Sequence, residues 1–221
     1  MSKLIEVHMR HGQHRENSMT SLGVHEFLAM CHLLATRLFT EAQQTKDIYV
    51  YSSEMGRTLE MRSLLKSVLS GCSIHISPPH PYLNPVEGLS DLFQKIPGCP
   101  RYGDGVIPFW SKLDLNDLPP ETESWTRVRE RSLSVMDHIQ REARGMLNGD
   151  LSIFLYHGGV IEPMLESRFG FQLTDLPSAT MILIYELGKT TKTKSYSYEL
   201  VSPYGPMDWA ARKEQGEQDM D

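Results

Sequence analysis

The stretch Val7-His8-Met9-Arg10-His11-Gly12-Gln13 decides the fold that we predict for this chain. It continues an apolar run from Leu4 that is typical of a buried β-strand. The run stops where arginine, histidine and glycine arrive together, and a glycine lets the backbone turn sharply and approach a ligand. Ligands of open α/β sheets bind beyond the carboxyl ends of the strands. The stretch therefore predicts an α/β protein with a site after its first strand, although three residues are a weak motif by themselves.

Two later strand ends carry the same kinds of residue. A strand predicted over 47–51 is followed by Ser52-Ser53-Glu54-Met55-Gly56-Arg57-Thr58, and a buried strand over 150–156 is followed by His157-Gly158-Gly159. The serines are also suitable caps for the helix that follows. If the sheet is parallel, two arginines and two histidines converge at one edge, beside helix N-termini. The pattern predicts a pocket for phosphate or another oxyanion.

Helices and strands alternate along the rest of the chain. We expect helices over 24–44, 56–70, 121–146 and 160–169, and further strands over 73–77, 180–186 and 194–201. This alternation favours an α/β fold with a mostly parallel sheet. Residues 1–212 are predicted to form one domain. Within it, 88–120 is expected to be an irregular cover over the site that sets specificity, with a short helix near 109–111.

Composition excludes several classes of protein. The 221 residues carry a net charge of −6, which argues against general nucleic-acid binding. The 3 cysteines form no CxxC pair and suit a reducing compartment. We find no leader peptide and no apolar run long enough to span a bilayer, so we expect a cytoplasmic protein. The polar tail 213–221 is expected to be disordered, and the oligomeric state stays open.

The three strand-end motifs, in this order, resemble the histidine phosphatase superfamily, the phosphoglycerate-mutase-like group. The resemblance extends over about Lys3 to Val201. It implies a three-layer α/β/α sandwich with a mostly parallel central sheet. It also implies covalent catalysis through a phosphohistidine on His11, with no cofactor and no metal.

The resemblance assigns roles to further residues. Arg10 and Arg57 correspond to phosphate-binding arginines, and His157 corresponds to the second histidine of the phosphate pocket, with Gly158 beside it. Asn17 stands six residues after His11, where many members place an asparagine that contacts phosphate.

The proton donor of the family comes from an acidic loop between the second and the last motif. Leu83-Asn84-Pro85-Val86-Glu87-Gly88 resembles that loop, so Glu87 is our choice for the acid. Asp91 and Asp104 are weaker candidates for the same role.

Two departures separate this chain from the mutases of the group. Glu16 takes the place of a tryptophan that mutases carry before the asparagine, and the mutase insertion before the second histidine is short here. Both favour a phosphomonoester hydrolase of the histidine acid phosphatase type, acting on a small phosphorylated molecule or a phosphopeptide. A mutase-type phosphotransferase and a non-catalytic protein that holds a phosphorylated ligand remain the alternatives.

The residues themselves suggest how such a site works. A neutral imidazole of His11 attacks phosphorus in line, while its other ring nitrogen donates to a carbonyl or carboxylate. A cationic His157 would add a donor for the transition state. His8, His11 and His14 also form an H-x-x-H-x-x-H spacing, but strand geometry places His8 and His11 on opposite faces, which argues against a metal site.

Overall fold

The computed structural model describes residues 2–40, 47–100, 105–142, 150–173, 175–189, 194–203 and 205–206. The polar tail 213–221 and Asp104 lie outside the described residues. So do the predicted helix ends at 41–44 and 143–146.

Seven of the described strands form one sheet, and two make a small hairpin. The sheet has the order β5-β4-β6-β1-β7-β8-β9, and β2 pairs with β3. The strands are β1 (Lys3–Arg10), β2 (His14–Arg15), β3 (Ser18–Met19), β4 (Ile48–Ser52), β5 (Ile74–Ile76), β6 (Leu151–Tyr156), β7 (Met181–Lys189), β8 (Lys194–Ser202) and β9 (Gly205–Pro206).

The strands that precede the three motifs are neighbours and run in the same direction. Strand β6 pairs in parallel with β1 on one side and with β4 on the other, and β5 adds to β4 in parallel. Strands β7, β8 and β9 pair antiparallel with their neighbours, so the sheet is mixed, and five of its seven strands run in one direction, which is the mostly parallel sheet that we expected. The carboxyl ends of β4, β6 and β1 therefore meet at one edge, which is the arrangement that the site requires.

Helices cover both faces of this sheet. They are α1 (Ser21–Thr40), α2 (Gly56–Val68), α3 (Leu89–Lys95), α4 (Val106–Trp110), α5 (Trp125–Glu142) and α6 (Ile161–Phe169), with 3₁₀ turns at Pro81–Leu83 and Leu115–Asp117. Two separate apolar cores result. One joins the sheet to α1 and α2, and the other joins it to α3, α4, α5 and α6. The three-layer sandwich is confirmed.

Alternation along β6 shows why the two cores form. Leu151, Ile153 and Leu155 belong to the core under α1 and α2, whereas Phe154 and Tyr156 belong to the opposite core. Successive side chains of a strand point to opposite faces, so a run that is apolar throughout is buried on both sides.

Two regions differ from the sequence prediction. Residues 88–120, expected to be irregular apart from a short helix near 109–111, contain α3, a 3₁₀ turn and α4, which overlaps the expected helix. Val106, Ile107 and Trp110 of this segment are buried in the core that joins the sheet to α5 and α6, so these residues are well packed. The hairpin of β2 and β3 was not predicted, because its strands are only 2 residues each and carry no apolar alternation. Among the described helices, none has the length and apolar character needed to cross a membrane.

Candidate active site

The ends of three adjacent strands lie level with one another. Arg10, the last residue of β1, pairs with Tyr156, the last of β6, and Ser52, the last of β4, pairs with Leu155. The residues that follow the three strands therefore leave the sheet at the same level along its carboxyl edge. The ring centroids of His11 and His157 lie 5.2 Å apart, so the convergence expected from the sequence is present.

The turn after His11 is packed too closely to accept a side chain. A Cβ atom on Gly12 would lie 2.3 Å from the carbonyl oxygen of Gly23, and one on Gly23 would lie 1.9 Å from that of Gln13. The end of β1 and the first turn of α1 thus pack backbone against backbone, which holds His11 in place from one side.

His11 is buried and held in one tautomer. Its Nδ1 lies 2.9 Å from the carbonyl oxygen of Gly12. Because a carbonyl only accepts, Nδ1 carries the proton and Nε2 keeps its lone pair. Burial, which outweighs the hydrogen bond to Gly12, together with the charges of Arg10 and Arg57, lowers the pKa of His11 to about 2. The ring is therefore a neutral imidazole whose Nε2 carries a free lone pair.

Hydrogen bonds also fix the tautomer of His157. Nε of Arg57 donates to Nδ1 of His157 at 3.3 Å, so the proton of His157 is on Nε2, which donates to Oγ of Ser53 at 2.8 Å. The pKa of His157 lies well below its usual range, first because it is buried and then because His11, Arg57 and Arg10 surround it. With these contacts His157 is neutral, whereas the sequence argument allowed a cation.

Two arginines bring positive charge to the same place. Arg57 donates from its terminal nitrogen to the carbonyl oxygen of Glu16 at 2.9 Å, and Arg10 donates to the carbonyl oxygen of Leu176. Burial and the charge of Arg10 lower the pKa of Arg57. Within the described part of the chain, no carboxylate pairs with Arg57, so its charge is available to an anion.

Asn17 contacts the start of α2. Its Oδ1 accepts a hydrogen bond from the backbone N–H of Gly56 at 2.8 Å, directly before Arg57. This is the capping role that the sequence argument gave to the serines after β4. Oγ of Ser53 instead accepts hydrogen bonds from Nε2–H of His157 and from the backbone N–H of Met55. Asn17 also lies in an open groove of about 700 Å³ lined by residues 15–21.

Glu87 lies in a loop that is anchored at its backbone. The N–H of Glu87 donates to Oε2 of Glu123 at 3.0 Å, and the carbonyl of Glu87 accepts from the N–H of Glu123 at 3.1 Å. The Glu87 side chain is exposed. The neighbouring Val86 comes within 3.1 Å of the Cβ position of Gly159, which places this loop beside the turn that carries His157.

Of the two weaker acid candidates, only Asp91 lies in the described part of the chain. Its carboxylate pairs with Lys95 at 2.6 Å on the exposed face of α3.

Sequence reasoning missed the residues that anchor these loops. Glu123 is buried and binds two nitrogens of Arg131, each at 2.9 Å. Arg131 also donates to the carbonyl oxygens of Tyr82 and Pro85, and so ties α5 to the loop of Glu87. The only signal in the sequence was a glutamate eight positions before an arginine in a helical pattern, which is common on helix surfaces.

A second buried carboxylate, that of Glu162, connects the loop after β6 to the end of β1. Oε2 of Glu162 accepts from the N–H of Gly159 at 2.6 Å, and Oε1 accepts from the N–H of Leu176 at 3.3 Å. The carbonyl of Leu176 is the one that Arg10 contacts. Glu162 thus links the turn after His157 to Arg10, and Gly158 lies in the same turn.

His14 is a further site residue that sequence reasoning did not assign to the pocket. It belongs to β2, and its ring stands edge-on to His11 with centroids 4.3 Å apart. Among the described residues, no group of three or more histidine, cysteine, aspartate and glutamate side chains is placed to hold a metal ion.

Comparisons with known proteins identify the fold. The sequence matches no protein-family model and no curated protein. Solved structures do match. A mycobacterial hydrolase (Mycobacterial hydrolase 2) has 14% identity and a TM-score of 0.62, with coverage of 100% of this chain and 99% of that chain.

Two further structures carry more specific names. Mycobacterial glucosyl-3-phosphoglycerate phosphatase has 16% identity and a TM-score of 0.60, covering 89% of this chain and 96% of its own. A protein of Escherichia coli described as a candidate alpha-ribazole-5'-P phosphatase has 15% identity and a TM-score of 0.58, covering 88% and 95%. The chain therefore has the phosphoglycerate-mutase-like fold, and the resemblance carried by the motifs is confirmed at the level of the fold.

Proposed function

We propose that this chain is a phosphomonoester hydrolase of the histidine acid phosphatase type, which works through a phosphohistidine on His11. One observation carries the proposal. His11 is neutral, its Nδ1 is committed to Gly12 so that Nε2 keeps its lone pair, and Arg10, Arg57 and His157 lie close to its ring. A neutral nucleophile among fixed cations is the arrangement that phosphoryl transfer needs, since positioning and charge stabilisation dominate that reaction.

The phosphate oxygens are bound by the groups around His11. Arg10 and Arg57 have planar guanidinium groups that match two oxygens at once. Burial first, and then repulsion from the neighbouring cations, depress the pKa of His157, and a bound dianion offsets the repulsion, so that histidine gains a proton as substrate binds and becomes the cationic donor. Gly158 and Asn17 complete the binding site in this proposal.

The reaction proceeds in two steps. Nε2 of His11 forms a bond to phosphorus while the ester P–O bond breaks, and the leaving oxygen takes a proton from the carboxylic acid of Glu87. Water then attacks the phosphohistidine, and the carboxylate of Glu87 accepts its proton. This releases inorganic phosphate and restores both side chains. The exposed position of Glu87 permits proton exchange with solvent, and the contacts with Glu123 anchor its backbone in a loop that lies beside the turn of His157.

A small phosphorylated molecule is the favoured substrate, and a phosphopeptide is the second possibility. The names of two similar structures refer to phosphatases of glucosyl-3-phosphoglycerate and of alpha-ribazole-5'-phosphate, which are both small phosphomonoesters. The cysteines Cys31, Cys72 and Cys99 are free, which supports the cytoplasm as the compartment.

The test is hydrolysis of a panel of phosphomonoesters by the purified chain in the presence of a chelator. We expect turnover of at least one ester, inhibited competitively by vanadate, because the anion site is built from side chains alone. Tight binding of phosphate esters without release of phosphate would favour the non-catalytic alternative. Transfer of phosphate between phosphoglycerates would favour the mutase alternative.

A further inference from the structure

His14 occupies a place beside the nucleophile that the proposed mechanism leaves unused. The hairpin of β2 and β3 sets this place, since His14 pairs with Met19 across it. Met19 is buried, and its N–H donates to Oε2 of Glu60 on α2 at 2.9 Å, so the hairpin is tied to the helix that carries Arg57. The ring of His14 is thereby held edge-on to His11, at 4.3 Å between centroids, while its side chain remains open to solvent.

The hydrogen bonds of the site distinguish His14 from its neighbours. The other site residues each have at least one side-chain nitrogen that is hydrogen-bonded to a protein atom; they are His11, His157, Arg10 and Arg57. For His14, no hydrogen bond from either ring nitrogen to any described residue is present. Both nitrogens are therefore available to a ligand, and the contact with His11 means that a ligand of the nucleophile also reaches His14.

Within the part of the chain that the structure describes, the groups that act electrostatically on this imidazole are arginines and histidines. They are Arg10 and His11 at the end of β1, Arg57 in α2 and His157 after β6. Burial first, and then the charges of Arg57 and Arg10, lower the pKa of His14. A bound dianion reverses the sign of this local field and favours the imidazolium.

We propose that His14 is a third histidine of the phosphate site, which takes up a proton from solvent as the anion binds and donates an N–H to a phosphate oxygen. The proposal rests on the proposed function, because it uses the same pocket and the same dianionic phosphate group. It makes His14 a specificity residue. An imidazolium at the mouth favours the dianion of a phosphomonoester over the monoanion of a diester, which carries one negative charge fewer.

The experiment is isothermal titration of the full chain with sulfate, which stays a dianion between pH 5.5 and 8. Titrations in buffers of different ionisation enthalpy give the number of protons taken up on binding. The variants are His14→Gln and His14→Lys, and His32→Gln is the matched control on the exposed face of α1. Thermal melts of all variants establish that they are folded.

The wild type is expected to take up protons and to bind sulfate more tightly as the pH falls from 8 to 6. His14→Gln should bind sulfate roughly ten- to a hundred-fold more weakly at pH 6, the size of one charge-assisted hydrogen bond, and should take up fewer protons. His14→Lys, which keeps a cation at pH 8, should restore affinity there. His32→Gln should match the wild type in both quantities.

Unchanged affinity and unchanged proton uptake in His14→Gln would overturn the inference. Sulfate binding needs no turnover, so this result is separable from the proposed function. If the chain binds sulfate through His14 but hydrolyses no ester, the inference about His14 stands and the proposed hydrolase activity is wrong. Failure of the wild type to bind sulfate at all would remove both.

Discussion

At the scale of single residues, the site depends on which nitrogens carry protons. Gly12 holds the proton of His11 on Nδ1, and Arg57 and Ser53 hold that of His157 on Nε2. Neither histidine is a cation in this arrangement, because burial and the two arginines oppose a further positive charge. In the mechanism that we propose, His11 can therefore act as a nucleophile at neutral pH without needing a base to deprotonate it.

Glu87 provides a prediction at this scale. In the proposed mechanism Glu87 protonates the leaving oxygen, so replacing it by glutamine would remove that donor, and an alkyl oxide leaves poorly without a proton. We expect Glu87→Gln to lower kcat for an alkyl phosphate by about 10²–10⁴, and to lower it far less for p-nitrophenyl phosphate, whose leaving group is stable as an anion. Steady-state kinetics with both esters measure the difference.

Asp91→Asn is the matched control, since Asp91 pairs with Lys95 on an exposed helix face. It should leave both rates close to those of the wild type. If Asp91→Asn shows the leaving-group dependence and Glu87→Gln does not, the acid is Asp91.

The site residues that could be predicted from the sequence are those that stand in a recognisable motif. Arg10, His11, Arg57 and His157 each stand in a short motif at a strand end, and the structure brings them together. His14 was considered only as a metal ligand, because its contact with His11 depends on a hairpin without an apolar pattern. Glu123 and Glu162 act on backbone N–H groups of distant loops, and such partners leave no pattern in the sequence.

At the scale of elements, a buried polar network ties β1 to β6 and α6. Arg168 donates to both carboxylate oxygens of Glu6, and Nε2 of His8 donates to Glu6 at 3.2 Å. The hydroxyl of Tyr156 donates to Nδ1 of His8 at 2.7 Å. Each of these four side chains thus has a hydrogen-bond partner in the network, which is the condition for a buried polar network to stabilise a fold.

This network predicts acid sensitivity. Burial alone would raise the pKa of Glu6, but His8 and Arg168 outweigh it and hold the pKa at about 2, against 4.5 in an unfolded chain. A lowered carboxyl pKa contributes stability that is complete above pH 4.5 and is lost as the pH falls to about 2. The contribution is about 3 kcal/mol. The difference in free energy of unfolding between the wild type and Glu6→Gln should therefore be about 3 kcal/mol larger at pH 5 than at pH 2.

Urea unfolding followed by circular dichroism between pH 2 and 7 measures this difference. Glu199→Gln is the matched control, because its ion pair with Arg37 is part-exposed and such pairs contribute less than about 1 kcal/mol. A constant difference between the wild type and Glu6→Gln across this range would contradict the role given to Glu6.

Elements with a clear period were predictable from the sequence, and short or composite ones were not. The central strands and α1, α2, α5 and α6 follow apolar spacing, and their predicted positions agree with the described elements to within a few residues. Helix α3 has 7 residues and was not predicted, and α4 has 5 and was predicted only around its end, at 109–111, because so few residues show no clear period among glycines and prolines. They form because tertiary packing buries Leu92, Val106 and Trp110.

At the scale of the whole molecule, two apolar cores cover opposite faces of one sheet, and the residues of the candidate site lie at its carboxyl edge. The strand order places β6 between β4 and β1, so three motifs from distant parts of the chain become neighbours. The sequence predicted this convergence from the assumption of a parallel sheet. It did not predict the strand order, which depends on long-range pairing that local patterns do not encode.

The central claim is that His11 carries the phosphoryl group during turnover. The direct measurement is a rapid quench, at neutral to alkaline pH, of the chain mixed with a ³²P-labelled phosphomonoester, followed by proteolysis and identification of the labelled peptide. The account predicts acid-labile label on the peptide that contains His11, and its absence in His11→Asn together with loss of turnover. Label on another residue, or wild-type turnover by His11→Asn, would contradict it.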